Sequence, residues 1–166
     1  MPPTLHLHLL VGLPGSGKTT LAQRLEQEHA ALRLTPDEWM LPLFGAGESG
    51  NRRAILEHEL LWGVAARALS LGLSVVLDYG LWSREERELY RERAKALGVR
   101  AELHLLDVPP GELWRRLEER NRHLPPGTFP VTREELEEWL GWYEPPTADE
   151  QALYASRRSH NPGSRR

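Results

Sequence analysis

No cysteine occurs in the 166 residues, which excludes a disulfide framework, a thiolate zinc site and a cysteine nucleophile, and fits a reducing compartment. Long apolar runs are also missing. None approaches the roughly 20 residues that cross a bilayer, and the first residues lack the basic-then-apolar layout of a secretory leader. The expectation is a cytoplasmic protein with no membrane partner. An excess of positive charge is lacking too: 21 Lys+Arg stand against 24 Asp+Glu, a formal net charge of −3. Nucleic acid would therefore need a local basic patch. There is no internal repeat and no linker that splits the chain, so its length implies one core, of the size that buries roughly 68–70% of the unfolded surface.

What is present alternates between strand and helix. "LHLHLLV" (5–11) reads as a strand, ended by a glycine-rich stretch that opens a helix carrying Leu21, Ala22 and Leu25 on one side. "LRL" (32–34) is a short second strand, and "TPDE" (35–38) a helix start with a capping box from Thr35 to Glu38. "GAGESG" (45–50) is a loop. From Arg52 to Leu71 apolar residues recur at helical spacing, and "SVVLDYG" (74–80) is a buried strand. Ser83 and Glu86 open another helix, "VRAELHLLDV" (99–108) is the fourth strand, and "GELWRRLEERNR" (111–122) an arginine-rich helix. Thr132 with Glu135, and Thr147 with Glu150, start two more helices. The pattern implies a three-layer α/β fold, a mostly parallel sheet with helices on both faces. Ligands in such sheets sit at the carboxyl ends of the strands. One domain is assigned to 1–155, with a lid at about 111–133, and "SRRSHNPGSRR" at 156–166 reads as a disordered basic tail.

The strongest motif is "GLPGSGKTT". Gly12, Gly17, Lys18 and Thr19 match G-x-x-x-x-G-K-[ST], between a strand and a helix as that motif requires. Gly12, Leu13, Pro14, Gly15, Ser16, Gly17, Lys18, Thr19 and Thr20 are the candidate phosphate-binding residues. Their backbone N–H groups and the positive end of the helix suit a nucleotide's phosphates. Lys18 would reach the β/γ-phosphates and the Thr19 hydroxyl would ligate Mg²⁺.

Asp78 closes the apolar run of the third strand, where a carboxylate beside the loop would hold Mg²⁺ directly or through water; an Asp that caps the next turn is the plainer use. Asp37, beyond the second strand, is placed to accept a proton from a substrate hydroxyl as that oxygen attacks the γ-phosphoryl group, although Asp is favoured in any first helical turn. Arg116 and Arg120 share a helical face and could neutralise charge on the transferring group, with Arg115 and Arg122 as substitutes; i,i+4 pairing with Glu112 is the alternative. Pro125, Pro126 and Gly127 favour a loop that closes over substrate. Arg84 and Arg87 are weaker contact candidates, and Trp39 and Trp82 could stack on a substrate ring or fill core. His6, His8 and His104 could meet on one sheet face, but the sequence shows no carboxylate partner for a metal site.

With these motifs the chain resembles small P-loop kinases of the adenylate-kinase-like branch, in particular the bacterial ATP-binding, AAA-type kinase family related to zeta toxin, chloramphenicol phosphotransferase, gluconate kinase and polynucleotide kinase domains. The matching stretches are "GLPGSGKTTLAQRL" (12–25), "LTPDEWM" (34–40), "VVLDYGLWSREER" (75–87) and "LDVPPGELWRRLEERN" (106–121). The resemblance implies a P-loop NTPase sheet of order 2-3-1-4, with a fifth strand not evident in the sequence. It also implies ATP-dependent phosphorylation of a hydroxyl with Mg²⁺, Asp37 as base, and Arg116 and Arg120 as lid arginines. Polynucleotide kinases of this group carry an arginine three residues after the catalytic Asp, and here Met40 stands there. The expected acceptor is a small molecule. Two readings stay beside it: a 5′-hydroxyl nucleic-acid or nucleotide kinase, and a nucleotide-binding switch or accessory ATPase without an acceptor.

Overall fold

A computed structural model describes residues 4–45, 50–154 and 156–160. Its centre is a sheet of five parallel strands: β1 (His6–Val11), β2 (Leu32–Leu34), β3 (Val75–Gly80), β4 (Arg100–Leu106) and β5 (Ser156–His160), in the order β2-β3-β1-β4-β5. The expected order 2-3-1-4 is present, and the fifth strand extends it at the β4 edge. Part of the stretch read as a disordered tail is thus strand: Ser156–His160 runs beside Glu102–Leu106. Backbone hydrogen bonding at an open sheet edge does not need apolar side chains, so a polar segment can pair there without any periodic signal. Residues 161–166 of that tail, and 46–49 of the expected loop, lie outside the described residues.

The connecting helices are α1 (Lys18–His29), α2 (Pro36–Phe44), α3 (Asn51–Ile55), a π-helical turn (Leu56–Leu61) running on into α4 (Trp62–Ser70), α5 (Arg84–Ala96), α6 (Pro110–Arg122), α7 (Arg133–Trp142) and α8 (Ala148–Gln151). The period of two along each strand decides the layers. Leu7, Leu9 and Val11 of β1 and Leu103 and Leu105 of β4 face Leu61, Ala65, Leu69, Tyr90 and Ala94. Leu10, Val76 and Leu106 point the other way, onto Leu21, Ala22 and Leu25 of α1. Each buried leucine contributes about 1.5–3 kcal/mol, so these apolar stripes, more than helix propensity, hold the three layers together. A separate cluster of Leu13, Val108, Leu113, Leu117, Val131 and Leu136 packs α6 and α7 against the glycine loop. Among the described residues no helix is long and apolar enough to cross a membrane.

The capping boxes divide. Thr132 accepts from the Glu135 N–H while the Glu135 carboxylate accepts from the Thr132 N–H, as expected. Thr35 makes no side-chain cap; its hydroxyl is drawn into the site below, and Glu38 pairs with Arg33 instead.

Candidate active site

The loop from Gly12 to Lys18 is tied at its base. The Gly12 N–H donates to the Gly80 carbonyl at 3.1 Å, and Trp82 Nε1 donates to the Gly12 carbonyl at 3.2 Å. Trp82 also packs on Trp139, with ring centroids 5.7 Å apart, so it braces the loop in this structure. Gly15 is required twice over: its φ is +86°, and a Cβ there would stand 2.9 Å from the Leu117 side chain and 3.2 Å from the Leu113 carbonyl oxygen. The loop thereby lies directly against α6.

Within this cradle, polar groups are held ready without full partners. The Ser16 hydroxyl is buried and has no hydrogen-bond partner among the described residues. Lys18 Nζ reaches only the Leu13 carbonyl, at 3.4 Å. Desolvation pushes the Lys18 ammonium below its ordinary value, opposed by Asp78 and Asp37 and reinforced by Arg120 and Arg53. A desolvated cation, a buried hydroxyl and a left-handed glycine turn at a helix start form a fitting receptor for a phosphate group.

Asp78 sits beside this loop because β3 pairs with β1 in parallel register. It is buried, and its Oδ2 accepts from the Thr19 hydroxyl at 2.8 Å and the Thr35 hydroxyl at 3.0 Å. Arg33 Nη1 in turn donates to Thr35 at 2.7 Å. Thr19 and Asp78 thus present a hydroxyl and a carboxylate oxygen side by side, the hard-oxygen donor set that suits Mg²⁺.

Asp37 opens α2, and its carboxylate accepts from Arg53 Nη2. Arg53 Nε also lies 3.2 Å from Glu57 Oε1. Neither residue was singled out in the sequence, where Arg53 and Glu57 look like an ordinary i,i+4 surface pair. Arg53 meets Asp37 from α3, the helix that runs on into the π turn at Leu56–Leu61. The carbonyls of that turn are used: Tyr79 donates to the Glu57 carbonyl at 3.0 Å, Tyr90 to the same oxygen at 3.3 Å, and Arg93 to the His58 carbonyl at 3.0 Å.

Burial pushes the Glu57 carboxyl up to about 7, against the pull of Arg53. The folded chain therefore binds this proton more firmly than the unfolded chain, whose value is near 4.5, and stability falls as pH rises from about 4.5 through about 7. The loss amounts to on the order of 3 kcal/mol at about 1.36 kcal/mol per pH unit of separation. Glu57→Gln is expected to flatten that decline in denaturant titrations across this range; an unchanged slope would exclude Glu57 as its source.

The stretch expected to form a lid, about 111–133, comprises most of α6 and the segment that leads to α7. Asn121 clamps that segment, donating to the Val131 carbonyl at 2.6 Å and accepting from the Val131 N–H at 3.0 Å. Its tip approaches the far side of the cleft, where a Cβ on Gly127 would be 3.6 Å from Glu38 Cγ. Arg120 donates to the Phe129 carbonyl at 3.2 Å, while its Nε is buried with no partner among the described residues. Burial lowers the Arg120 pKa, and the Asp37 carboxylate opposes this, so the two groups share one electrostatic neighbourhood with Lys18. Arg116 is placed differently. Its Nε is 2.9 Å from Glu112 Oε1, and bonds from Arg115 and Arg116 hold the Glu112 carboxyl down at about 2.

The remaining candidates separate from the site. Arg87 is fully buried and bonded to Glu150, which makes it a structural residue, and Arg84 is exposed. Met40 is fully buried in the main core. Trp39 is exposed, two residues from Asp37. His8 and His104 are buried on the α1 face of the sheet, away from the loop.

A parallel sheet of this order, with a glycine loop after the first strand, a hydroxyl–carboxylate pair beside it and a helical lid, defines the P-loop NTPase α/β fold in its kinase-like form. The chain belongs to the AAA domain family, whose model matches residues 7–146. Among solved structures it is similar to Chaetomium thermophilum Kti12 in complex with ADP-AlF3, with a TM-score of 0.73 and 18% identity over 95% of this chain and 89% of that one. It is also similar to the Mycobacterium tuberculosis APS kinase CysC in complex with AMPPNP and APS, with a TM-score of 0.64 and 20% identity over 98% and 92% of the two chains. A gluconokinase from Sinorhizobium meliloti matches with a TM-score of 0.63 and 16% identity over 96% and 84%. At these identities the likeness is one of fold.

Proposed function

We propose that this protein transfers the γ-phosphoryl group of ATP to a hydroxyl of a small-molecule acceptor. The reading is supported by the electrostatic neighbourhood that Lys18 shares with Asp37 and Arg120, beside the Thr19–Asp78 hydrogen bond at the glycine loop. Residues 12–20 would hold the phosphates. Thr19 and Asp78 would hold Mg²⁺, which supplies charge neutralisation at the β/γ oxygens. Asp37, fixed by Arg53, would take the acceptor's proton as the oxygen attacks. Lys18 and Arg120 would stabilise charge gathering on the transferring group. Arg116 would join them only after leaving Glu112. Closure of the 123–131 segment toward Glu38 would exclude water and favour the acceptor over hydrolysis. An AMPPNP complex among the similar structures supports a triphosphate in such a loop.

Met40 lies in the core at the position where polynucleotide kinases carry an arginine, which favours a small acceptor over a 5′-hydroxyl polynucleotide. The test is a panel of sugars, nucleosides, antibiotics and 5′-hydroxyl oligonucleotides incubated with ATP and Mg²⁺ and read by mass spectrometry. With the best acceptor, Asp37→Asn is expected to cut turnover by about 10²–10⁴-fold and leave ATP affinity nearly intact. Unaltered turnover would remove Asp37 as base. ATP hydrolysis indifferent to every acceptor would replace the transferase reading with an accessory ATPase.

A further inference from the structure

The alternation of β1 and β4 builds a second polar cluster on the α1 face, separated from the glycine loop by about 7 Å of strand at His104 and about 13 Å at His8. His8 pairs in register with Glu102, and Leu10 with His104, so both histidines and the carboxylate emerge on one side. All three are buried: His8 is 1% exposed, His104 0% and Glu102 8%. Glu102 is the carboxylate partner that the sequence did not reveal.

Their donor atoms form a nearly regular triangle. His8 Nδ1 is 3.0 Å from His104 Nε2 and 3.4 Å from Glu102 Oε2, and His104 Nε2 is 3.6 Å from the same oxygen. A tetrahedral zinc ion with bonds of about 2.0–2.1 Å sets its ligand atoms about 3.3–3.4 Å apart. The triangle matches that spacing on average.

The surroundings are those of a metal site. His6 Nδ1 lies 2.9 Å from the other carboxylate oxygen, Glu102 Oε1. The ring of His29, at the end of α1, stands 4.9 Å from that of His8. A cleft of about 350 Å³, bordered by His6, His29, Ala30 and Leu73, opens the neighbourhood to solvent.

We propose that His8, Glu102 and His104 bind a divalent transition ion of the zinc class, which fastens β1 to β4 beneath α1. Imidazole ligands select such ions over Mg²⁺, which keeps this site distinct from Thr19 and Asp78. The experiment titrates the chelator-stripped full-length chain with Co²⁺ in excess Mg²⁺. One equivalent is expected to bind with the visible absorption of four-coordinate cobalt, to be displaced by one equivalent of Zn²⁺, and to raise the melting temperature. His104→Gln and Glu102→Gln should lose more than the about 10–100-fold in affinity that an outer partner costs. Asp78→Asn should keep the band. Should both cluster variants fail to fold, the unaltered chain still decides. Absence of a stoichiometric cobalt band there, or a band that disappears in Asp78→Asn, overturns the proposal.

Discussion

Lys18→Met is expected to abolish phosphoryl transfer and, at the same time, to make the nucleotide-free protein more stable. Desolvation holds the Lys18 ammonium below its ordinary value in spite of Asp78 and Asp37. The folded chain therefore holds that proton less firmly than the unfolded chain does, and near neutral pH the charge is a net cost to folding. Methionine keeps most of the stem and removes the charge. Each kcal/mol recovered raises the melting temperature by roughly 2–4 °C in a chain of this size. The same change deletes the cation that the phosphates need, so turnover should fall by at least about 10²–10³-fold. In the unaltered protein, ATP with Mg²⁺ at 100 times its Kd should add about 2.7 kcal/mol; in the variant that increment should largely vanish. Thermal unfolding with and without ATP and Mg²⁺ reads both effects. Retained transfer, or a free protein less stable than the original, would contradict the role given to Lys18.

That opposition between stability and binding explains why the loop was so legible. Its glycines, lysine and hydroxyl answer to a ligand more than to the core, so they stand in the sequence at fixed spacing between a strand and a helix. Apolar runs alternating with helical crossovers made a mostly parallel sheet legible, while the order 2-3-1-4 came with the resemblance to P-loop kinases.

What stayed hidden depended on register. Arg53 reaches Asp37 across 16 positions, from α3 to α2, and no local pattern announces that contact. Thr35 looked like a cap, yet Asp78 from a strand 43 positions away takes its hydroxyl. Glu102 alternates with apolar neighbours as an outward residue would, yet the fold buries it. The fifth strand, Ser156–His160, is polar throughout, so no apolar run marks it.

Arg87 illustrates the same point and carries the other large effect. In sequence it sits in a charged helix behind Asp78 and invites a role at the cleft. In the fold it is fully buried, donating to Glu150 through Nε at 2.6 Å and Nη2 at 3.0 Å, and to the Leu81 carbonyl through Nη1 at 2.9 Å. This fork fastens α5 to α8 and to the turn after β3, just ahead of the chain's entry into β5. Glu150→Ala strands a guanidinium in the interior, which costs about 3–5 kcal/mol. At roughly 2–4 °C per kcal/mol, the melting temperature should drop by about 6–20 °C. The attraction between two buried charges is largely offset by their desolvation, so removing both should cost far less than removing one. Arg87→Met combined with Glu150→Leu is accordingly expected to recover most of the loss in equilibrium denaturant unfolding. A double variant as unstable as Glu150→Ala would show that the fork's hydrogen bonds, and not the stranded charge, account for the effect.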